Sequence, residues 1–106
     1  MGPKRYQLIY DIEFADQMKA IEQKYYSFIR RTIEEQLTYA PDRQTRNRKQ
    51  LDRLAPFGTR WELRFGVQNR FRVFYIVNPA AREVRILAMG VKIRERLYIG
   101  GKEVKL

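Results

Sequence analysis

The chain has 106 residues, with 22 Lys and Arg against 12 Asp and Glu and neither His nor Cys, so its formal net charge is +10. The missing residue types exclude thiolate nucleophiles, imidazole bases, disulfides and Cys/His zinc sites. A hydrophobic content of 44% is enough for one core. The sequence therefore predicts a single globular domain over residues 1–106 that needs no metal or other cofactor.

The sequence shows no sign of membrane insertion or export. No apolar run reaches the roughly 18 to 20 residues of a membrane span, and the segment Met1–Tyr6 lacks the hydrophobic stretch of a signal peptide. We therefore expect a cytoplasmic protein that does not contact a membrane.

The positive charge is concentrated in one part of the chain. Residues 1–41 carry six basic and six acidic side chains, whereas residues 42–106 carry sixteen basic and six acidic ones. Arg outnumbers Lys in the second part, which favours bidentate contacts with phosphate or carboxylate groups. This distribution predicts an anionic partner, either a polyanion or an acidic protein.

The first part of the chain predicts a strand followed by helix. Residues 6–14 alternate between apolar and polar side chains, which is typical of a strand. Asp16 can then cap a helix over residues 16–39, whose apolar residues recur at spacings of three and four. One straight helix of that length would be about 36 Å long, nearly twice a short strand. A bend or a helical hairpin, with a break near Gln23 to Ser27, is therefore the alternative to one helix.

The second part predicts a basic loop and three strands. Residues 42–53 are polar and basic, with little to bury. Alternation then predicts strands over residues 61–65, 70–77 and 83–89, separated by turn residues. Residues 92–98 form a short basic segment whose conformation the pattern does not specify.

These elements predict an α+β fold. An N-terminal strand and a helix or helical hairpin precede an antiparallel three-stranded meander, and the helices cover one face of a single sheet. The alternation directs the apolar side chains toward the helices, so four arginines are expected together on the opposite face. They are Arg60, Arg64, Arg70 and Arg72. Next to the basic loop and the segment 92–98, they predict a concave site for an anion.

Four segments of the chain resemble toxins of the RelE/ParE superfamily, from bacterial toxin–antitoxin pairs, and are more similar to the RelE members. The segments are Asn-Arg-Lys-Gln-Leu at 47–51, Trp-Glu-Leu-Arg-Phe at 61–65, Asn-Arg-Phe-Arg-Val-Phe-Tyr at 69–75 and Ile-Leu-Ala-Met-Gly-Val-Lys-Ile-Arg-Glu-Arg-Leu-Tyr at 86–98. Chain length and the order of predicted elements agree as well, so the resemblance covers nearly the whole chain and implies a RelE-like fold.

The resemblance implies a ribosome-dependent messenger RNA endonuclease that inhibits translation and acts without metal. In this chemistry the ribose 2′-hydroxyl attacks the adjacent phosphate and leaves a cyclic phosphate and a free 5′-hydroxyl. The reaction needs a base for the 2′ proton and positive groups around the phosphate. The implied partners are the ribosome, messenger RNA and a cognate acidic antitoxin.

The resemblance also implies roles for individual residues. Arg72 and Lys92 match the phosphate-binding cations of the family, Arg64 a basic residue of its second strand, and Tyr98 its C-terminal Tyr. Where the family has a Lys in the second strand, this chain has Glu62, which is either the base or a salt-bridge partner of the arginines. Tyr98 can act in catalysis, stack on a base or cover the edge of the core.

Other basic residues are predicted to contact nucleic acid without a catalytic role, because contacts to phosphate supply affinity without sequence choice. They are Arg43, Arg46, Arg48, Lys49, Arg60, Arg70, Arg94 and Arg96. Two other functions remain open from the sequence. One is a ParE-like, non-enzymatic inhibitor of DNA gyrase, and the other is an RNA-binding module that has little or no catalytic activity.

Overall fold

The elements of the protein come from a computed structural model that describes residues 4–52 and 58–105. They are β1 (Gln7–Tyr10), α1 (Ile12–Met18), α2 (Tyr26–Leu37), β2 (Arg48–Gln50), β3 (Trp61–Phe65), β4 (Phe71–Asn78), β5 (Glu83–Ile93), β6 (Arg96–Ile99) and β7 (Lys102–Val104). The fold is α+β, as the sequence predicts. The predictions for Met1 to Pro3 and for Arg53 in the basic loop lie outside the described residues.

The described strands form one seven-stranded sheet in the order β2-β3-β4-β5-β6-β7. Neighbours in this order are antiparallel. β1 pairs in parallel with residues 83–86 of β5, while β6 pairs with residues 90–93 along the same edge. The prediction of a three-stranded meander beside an N-terminal strand is therefore wrong in extent. β3, β4 and β5 do form a meander, but β2, β6 and β7 extend it.

The additional strands have short or polar sequences that carry little strand signal. β2 is only Arg-Lys-Gln, and it lies at the edge of the sheet inside the segment predicted as a basic loop. The segment 92–98 belongs to two strands, because β5 runs on to Ile93 and a two-residue turn leads into β6. Arg94 makes this turn possible with a φ of 59°.

The N-terminal strand is shorter than predicted because a helix begins inside its alternating pattern. The Asp11 carboxylate accepts a hydrogen bond of 3.1 Å from the Glu13 N–H and so caps α1. The cap is therefore Asp11 and not Asp16. The chain forms two helices and not one, since α1 ends at Met18 and α2 begins only after a 3₁₀ turn at Gln23–Tyr25. The break therefore starts earlier than the predicted Gln23 to Ser27, and Ser27 lies within α2.

Both helices lie against the same face of the sheet. Ile29, Ile33 and Leu37 of α2 are fully buried in a core with Leu63 and Val73. A smaller apolar cluster of Phe74, Ala88, Leu97 and Ile99 lies on the opposite face. Neither helix, nor any other within the described ranges, has the length and apolar character needed to cross a membrane.

β5 contains a β-bulge that interrupts its alternation. Tyr75 of β4 pairs with Ile86, and the preceding Phe74 pairs with Ala88, so Leu87 has no partner across the strands. Beyond the bulge, Met89 packs in the core on the helix side, and Gly90 lies opposite Arg72. The Met89 N–H donates a hydrogen bond of 2.7 Å to the side-chain carbonyl of Gln17, which fills the gap between β1 and β6.

Candidate functional site

An ion-pair cluster lies on the sheet face that the helices leave uncovered. Arg64 of β3 and Arg72 of β4 are directly opposite each other. Glu62 bonds to both, with 2.5 Å from its Oε1 to Arg64 Nε and 3.3 Å from its Oε2 to an Arg72 terminal nitrogen. The Glu62 side chain is only 4% exposed and that of Arg72 9%, so these charges are largely removed from water. Of the two roles predicted for Glu62, the contacts are those of the salt-bridge partner.

The cluster fixes the direction of both guanidinium groups. Arg72 Nε also donates a hydrogen bond of 2.9 Å to the carbonyl of Asn69, which lies in the turn between the two strands. A guanidinium has five N–H donors. Arg72 uses two of them within the described residues, which leaves three, and Arg64 uses one, which leaves four. The remaining donors can bind the oxygens of an anion that approaches the face.

A cleft of about 330 Å³ begins at this cluster and extends toward the C-terminal hairpin. Glu62, Arg72 and Lys92 line one side. Arg96, Glu103 and Lys105 line the other, and Arg96 pairs with Glu103 at 3.7 Å. We call the side chains of Arg64, Arg72, Lys92 and Arg96 the cation face. Three residues for which the resemblance implies catalytic roles, together with Glu62, are therefore brought together.

Glu95 is a residue of the cleft that the sequence reasoning missed. It is exposed in the turn between β5 and β6, and it lines the cleft with Arg72 and Lys92. It makes no ion pair with any described residue, in contrast to Glu62 and Glu103. Glu95 could have been found from the sequence as a residue of the turn that directly follows the strand with Lys92. That prediction would have required the correct bounds of β5, which the sequence pattern does not give.

Tyr98 and Arg70 lie on the other face of the sheet. Tyr98 pairs with Val91 of β5, and both line a second cleft with Gln17 and Ile21 from the helix layer. The Arg70 guanidinium lies 5.0 Å from the ring centre of Tyr25. The expectation that Arg70 joins Arg64 and Arg72 is therefore wrong. Arg70 precedes β4 and does not follow the alternation of that strand.

Arg48 is part of the interior, although the sequence predicts a nucleic-acid contact. Its side chain donates a hydrogen bond to the Gln36 carbonyl in the last turn of α2, and Arg48 is 9% exposed. Carbonyl groups at the C-terminal end of a helix lack helical partners, and a cation there is favourable. Arg48 therefore joins β2 to α2, and its buried Nε has no partner among the described residues.

The remaining predicted contacts are exposed and lie outside the cleft. Lys49 pairs with Glu62 across β2 and β3, so its position is on the face of the ion-pair cluster. Arg43 and Arg46 belong to the loop before β2, Arg60 precedes β3, and Arg94 lies in the turn before β6. These side chains can extend the positive surface around the cleft, but the structure does not bring them into it.

Comparison of the chain with protein-family models, curated proteins and solved structures finds no match. Within residues 4–52 and 58–105, no group of three or more acidic side chains is arranged to hold a metal ion.

Proposed function

We propose that the protein is a RelE-like toxin of a bacterial toxin–antitoxin pair that cleaves messenger RNA on the ribosome. The observation that supports this most is the cleft at the cation face, where Arg72 and Lys92 lie together with Glu95, a carboxylate that makes no ion pair with any described residue. Fixed cations beside a proton acceptor are the groups that metal-independent cleavage of a phosphodiester requires.

In the proposed reaction the cations bind the phosphate that is attacked. As the 2′-oxygen bonds to phosphorus, the phosphate gains negative charge, and Arg72 and Lys92 stabilise it electrostatically. Arg64 supplies further donors at the rim, where its side chain is 33% exposed. Because Glu62 already orients both arginines, the site does not have to reorganise them during the reaction.

Glu95 is the residue we propose as the base. A base must be within reach of the 2′-hydroxyl, whereas the Glu62 side chain is only 4% exposed and each of its oxygens already accepts a hydrogen bond from a guanidinium group. Glu95 has no such partner among the described residues and lines the same cleft. The proton passes from the 2′-oxygen to Glu95, the bond from phosphorus to the 5′-oxygen breaks, and the 5′-oxygen takes a proton from water as it leaves.

The test is to induce the chain in bacteria and to map messenger RNA 5′ ends during growth arrest. We compare the wild type with Lys92→Ala, Glu95→Gln and the control Arg85→Ala. Arg85 is an exposed cation on the same strand, roughly 20 Å from Lys92 at about 3.3 Å per residue. New 5′ ends are expected with the wild type and Arg85→Ala, and far fewer with Lys92→Ala or Glu95→Gln.

Two results would replace this function with another. Growth arrest with intact messages would favour the ParE-like inhibition of gyrase. Normal growth despite soluble, folded protein would favour an RNA-binding module without activity.

The antitoxin is the partner we propose for the positive surface. An acidic, partly disordered protein that folds on binding can cover a chain with a net charge of +10. Purification of the tagged chain, expressed from its native locus, should recover a small acidic protein in stoichiometric amount. Recovery of the chain alone would contradict this partner.

A further inference from the structure

A second cleft, of about 280 Å³, lies on the helix face of the sheet and is separate from the cation face. It forms because α1 has only seven residues and does not cover the end of β5. Met89, Val91 and Ile93 form its apolar floor, and Ile93 is 57% exposed. This volume is just below the usual range for small-molecule sites, so the cleft suits only a compact ligand.

Arg70 supplies an unpaired guanidinium at the border of this cleft. Its central carbon lies 5.0 Å from the ring centres of both Tyr25 and Phe71, so aromatic rings support the guanidinium group. Within the described residues Arg70 makes no ion pair, and the nearby Glu22 is paired with Lys24 at 3.4 Å. The guanidinium edge therefore remains available for a ligand that accepts two hydrogen bonds.

Gln17 adds a second donor. It is 7% exposed, and its side-chain oxygen accepts the Met89 N–H at 2.7 Å, which identifies the other amide atom as the nitrogen. That nitrogen has no hydrogen-bond partner among the described residues, and Gln17 lines the cleft with Arg70 and Tyr98. The site therefore combines an apolar floor, an aromatic wall and donors that are fixed in place.

We infer that this cleft binds a nucleobase, with guanine as the preferred base. A flat ring can cover the apolar floor beside Tyr98, and the two adjacent acceptors of guanine match the parallel N–H groups of Arg70. A carboxylate would also satisfy Arg70, but it would leave the floor formed by Met89, Val91 and Ile93 uncovered. The choice of RNA as the source of the base rests on the proposed function.

The test uses guanosine, adenosine and N-acetylglutamate as probes in a titration of ¹⁵N-labelled protein followed by NMR. Nucleosides carry no phosphate, so they neither need the cation face nor undergo cleavage. Guanosine should shift the Gln17 side-chain amide and the backbone amides of Gly100 and Gly101, which line the cleft. Adenosine should bind more weakly, by about tenfold, because it offers a donor where guanine offers an acceptor.

Arg70→Gln and Arg85→Gln form a matched pair of variants. Arg70→Gln should weaken guanosine binding by about tenfold or more while the spectrum stays dispersed, and Arg85→Gln, at an exposed position near the other end of β5, should bind like the wild type. The inference is overturned if guanosine causes no shifts at the cleft, or if N-acetylglutamate causes them instead, which would identify a site for acidic peptides. If messenger RNA stays intact in cells while guanosine still binds, the proposed nuclease fails and the base site stands.

Discussion

Arg64 and Arg72 are directly opposite each other on β3 and β4, and the buried carboxylate of Glu62 bonds to both. Like charges at facing positions of a strand pair repel each other. One carboxylate therefore has two effects here: it neutralises part of the charge, and it determines where the free guanidinium donors point. Glu62 therefore links the stability of the fold to the orientation of these donors.

Glu62→Gln should destabilise the fold by about 3 kcal/mol, because it leaves two cations facing each other with one of them buried. Urea denaturation measures this loss of stability, provided that the variant has the same m-value as the wild type. Glu95→Gln removes an exposed carboxylate and should change stability little. Equal stability of the two variants would show that the ion-pair cluster contributes nothing to folding.

RNA binding at the cation face should depend strongly on salt. For single strands, log K falls with log salt concentration at a slope of about −0.7 per phosphate contact. Lys92→Ala should reduce this slope by about 0.7, whereas Arg85→Ala, at the other end of β5, should leave it unchanged. Fluorescence anisotropy with a 2′-O-methylated RNA, which cannot be cleaved, provides the measurement. An equal decrease of the slope in both variants would indicate that RNA is attracted by the overall charge and not by a defined site.

Arg48→Ala should destabilise the protein without weakening RNA binding. The change removes the hydrogen bond to the Gln36 carbonyl at the end of α2, and charged hydrogen bonds of this kind contribute about 1.5 to 3 kcal/mol. The neighbouring Lys49→Ala changes an exposed residue of the same strand and should be nearly neutral for stability. A drop in RNA affinity for folded Arg48→Ala would contradict the interior role of Arg48.

Stability should decrease in alkaline solution, in part because of Tyr75. Burial, with a contribution from Asp42, raises the pKa of the Tyr75 phenol above its ordinary value of 10.0, and the hydroxyl donates 2.8 Å to the Pro41 carbonyl. The folded state then keeps this proton when the unfolded state loses it. The stabilisation is complete below pH 10 and is lost as the pH rises further.

Tyr75→Phe tests this dependence. At neutral pH the variant should be less stable by about 1 kcal/mol, because it lacks the hydrogen bond. Above pH 10 its free energy of unfolding should fall less steeply with pH than that of the wild type, by up to about 1.4 kcal/mol per pH unit. Denaturant unfolding from about pH 8 to about pH 11 gives both quantities. Tyr39→Phe, which alters a half-exposed ring, is the control. An unchanged slope in Tyr75→Phe would mean that other groups cause the alkaline loss.

The sequence predicts the elements whose two faces differ most in polarity. The bounds of β3 agree with the prediction, and β4 covers residues 71–78 against the predicted 70–77. In β3 the apolar Trp61, Leu63 and Phe65 alternate with two charged residues, and in β4 Arg72 lies between Phe71 and Val73. β2, β6 and β7 are only three or four residues long, although β6 and β7 each pair with the strand that directly precedes them. Segments this short do not show an alternating pattern that would predict a strand.

The residues of the candidate site could be predicted only where their strands could be predicted. Arg64 and Arg72 could be placed on one face because both belong to strands with clear alternation. Tyr98 could not be placed, since the strand that contains it was not predicted. Arg70 could not be placed either, because it precedes β4 and its position depends on packing against Tyr25. The participation of Glu95 depended on the length of β5, which the sequence underestimated.

The unmatched Leu87 determines the face to which every later residue of β5 belongs. Before Leu87, the even-numbered residues Val84 and Ile86 pack toward the helices. After it, the odd-numbered Met89 does so, because the bulge adds one residue to the strand. Lys92 faces outward for this reason alone. Deletion of Leu87 would restore a regular strand and keep Met89 in the core and Lys92 on the outer face, because Ile86 and Ala88 would become neighbours that point to opposite faces. The insertion of a single codon after the bulge would instead turn Lys92 toward the apolar core, and it would remove a cation from the site without changing any residue in it.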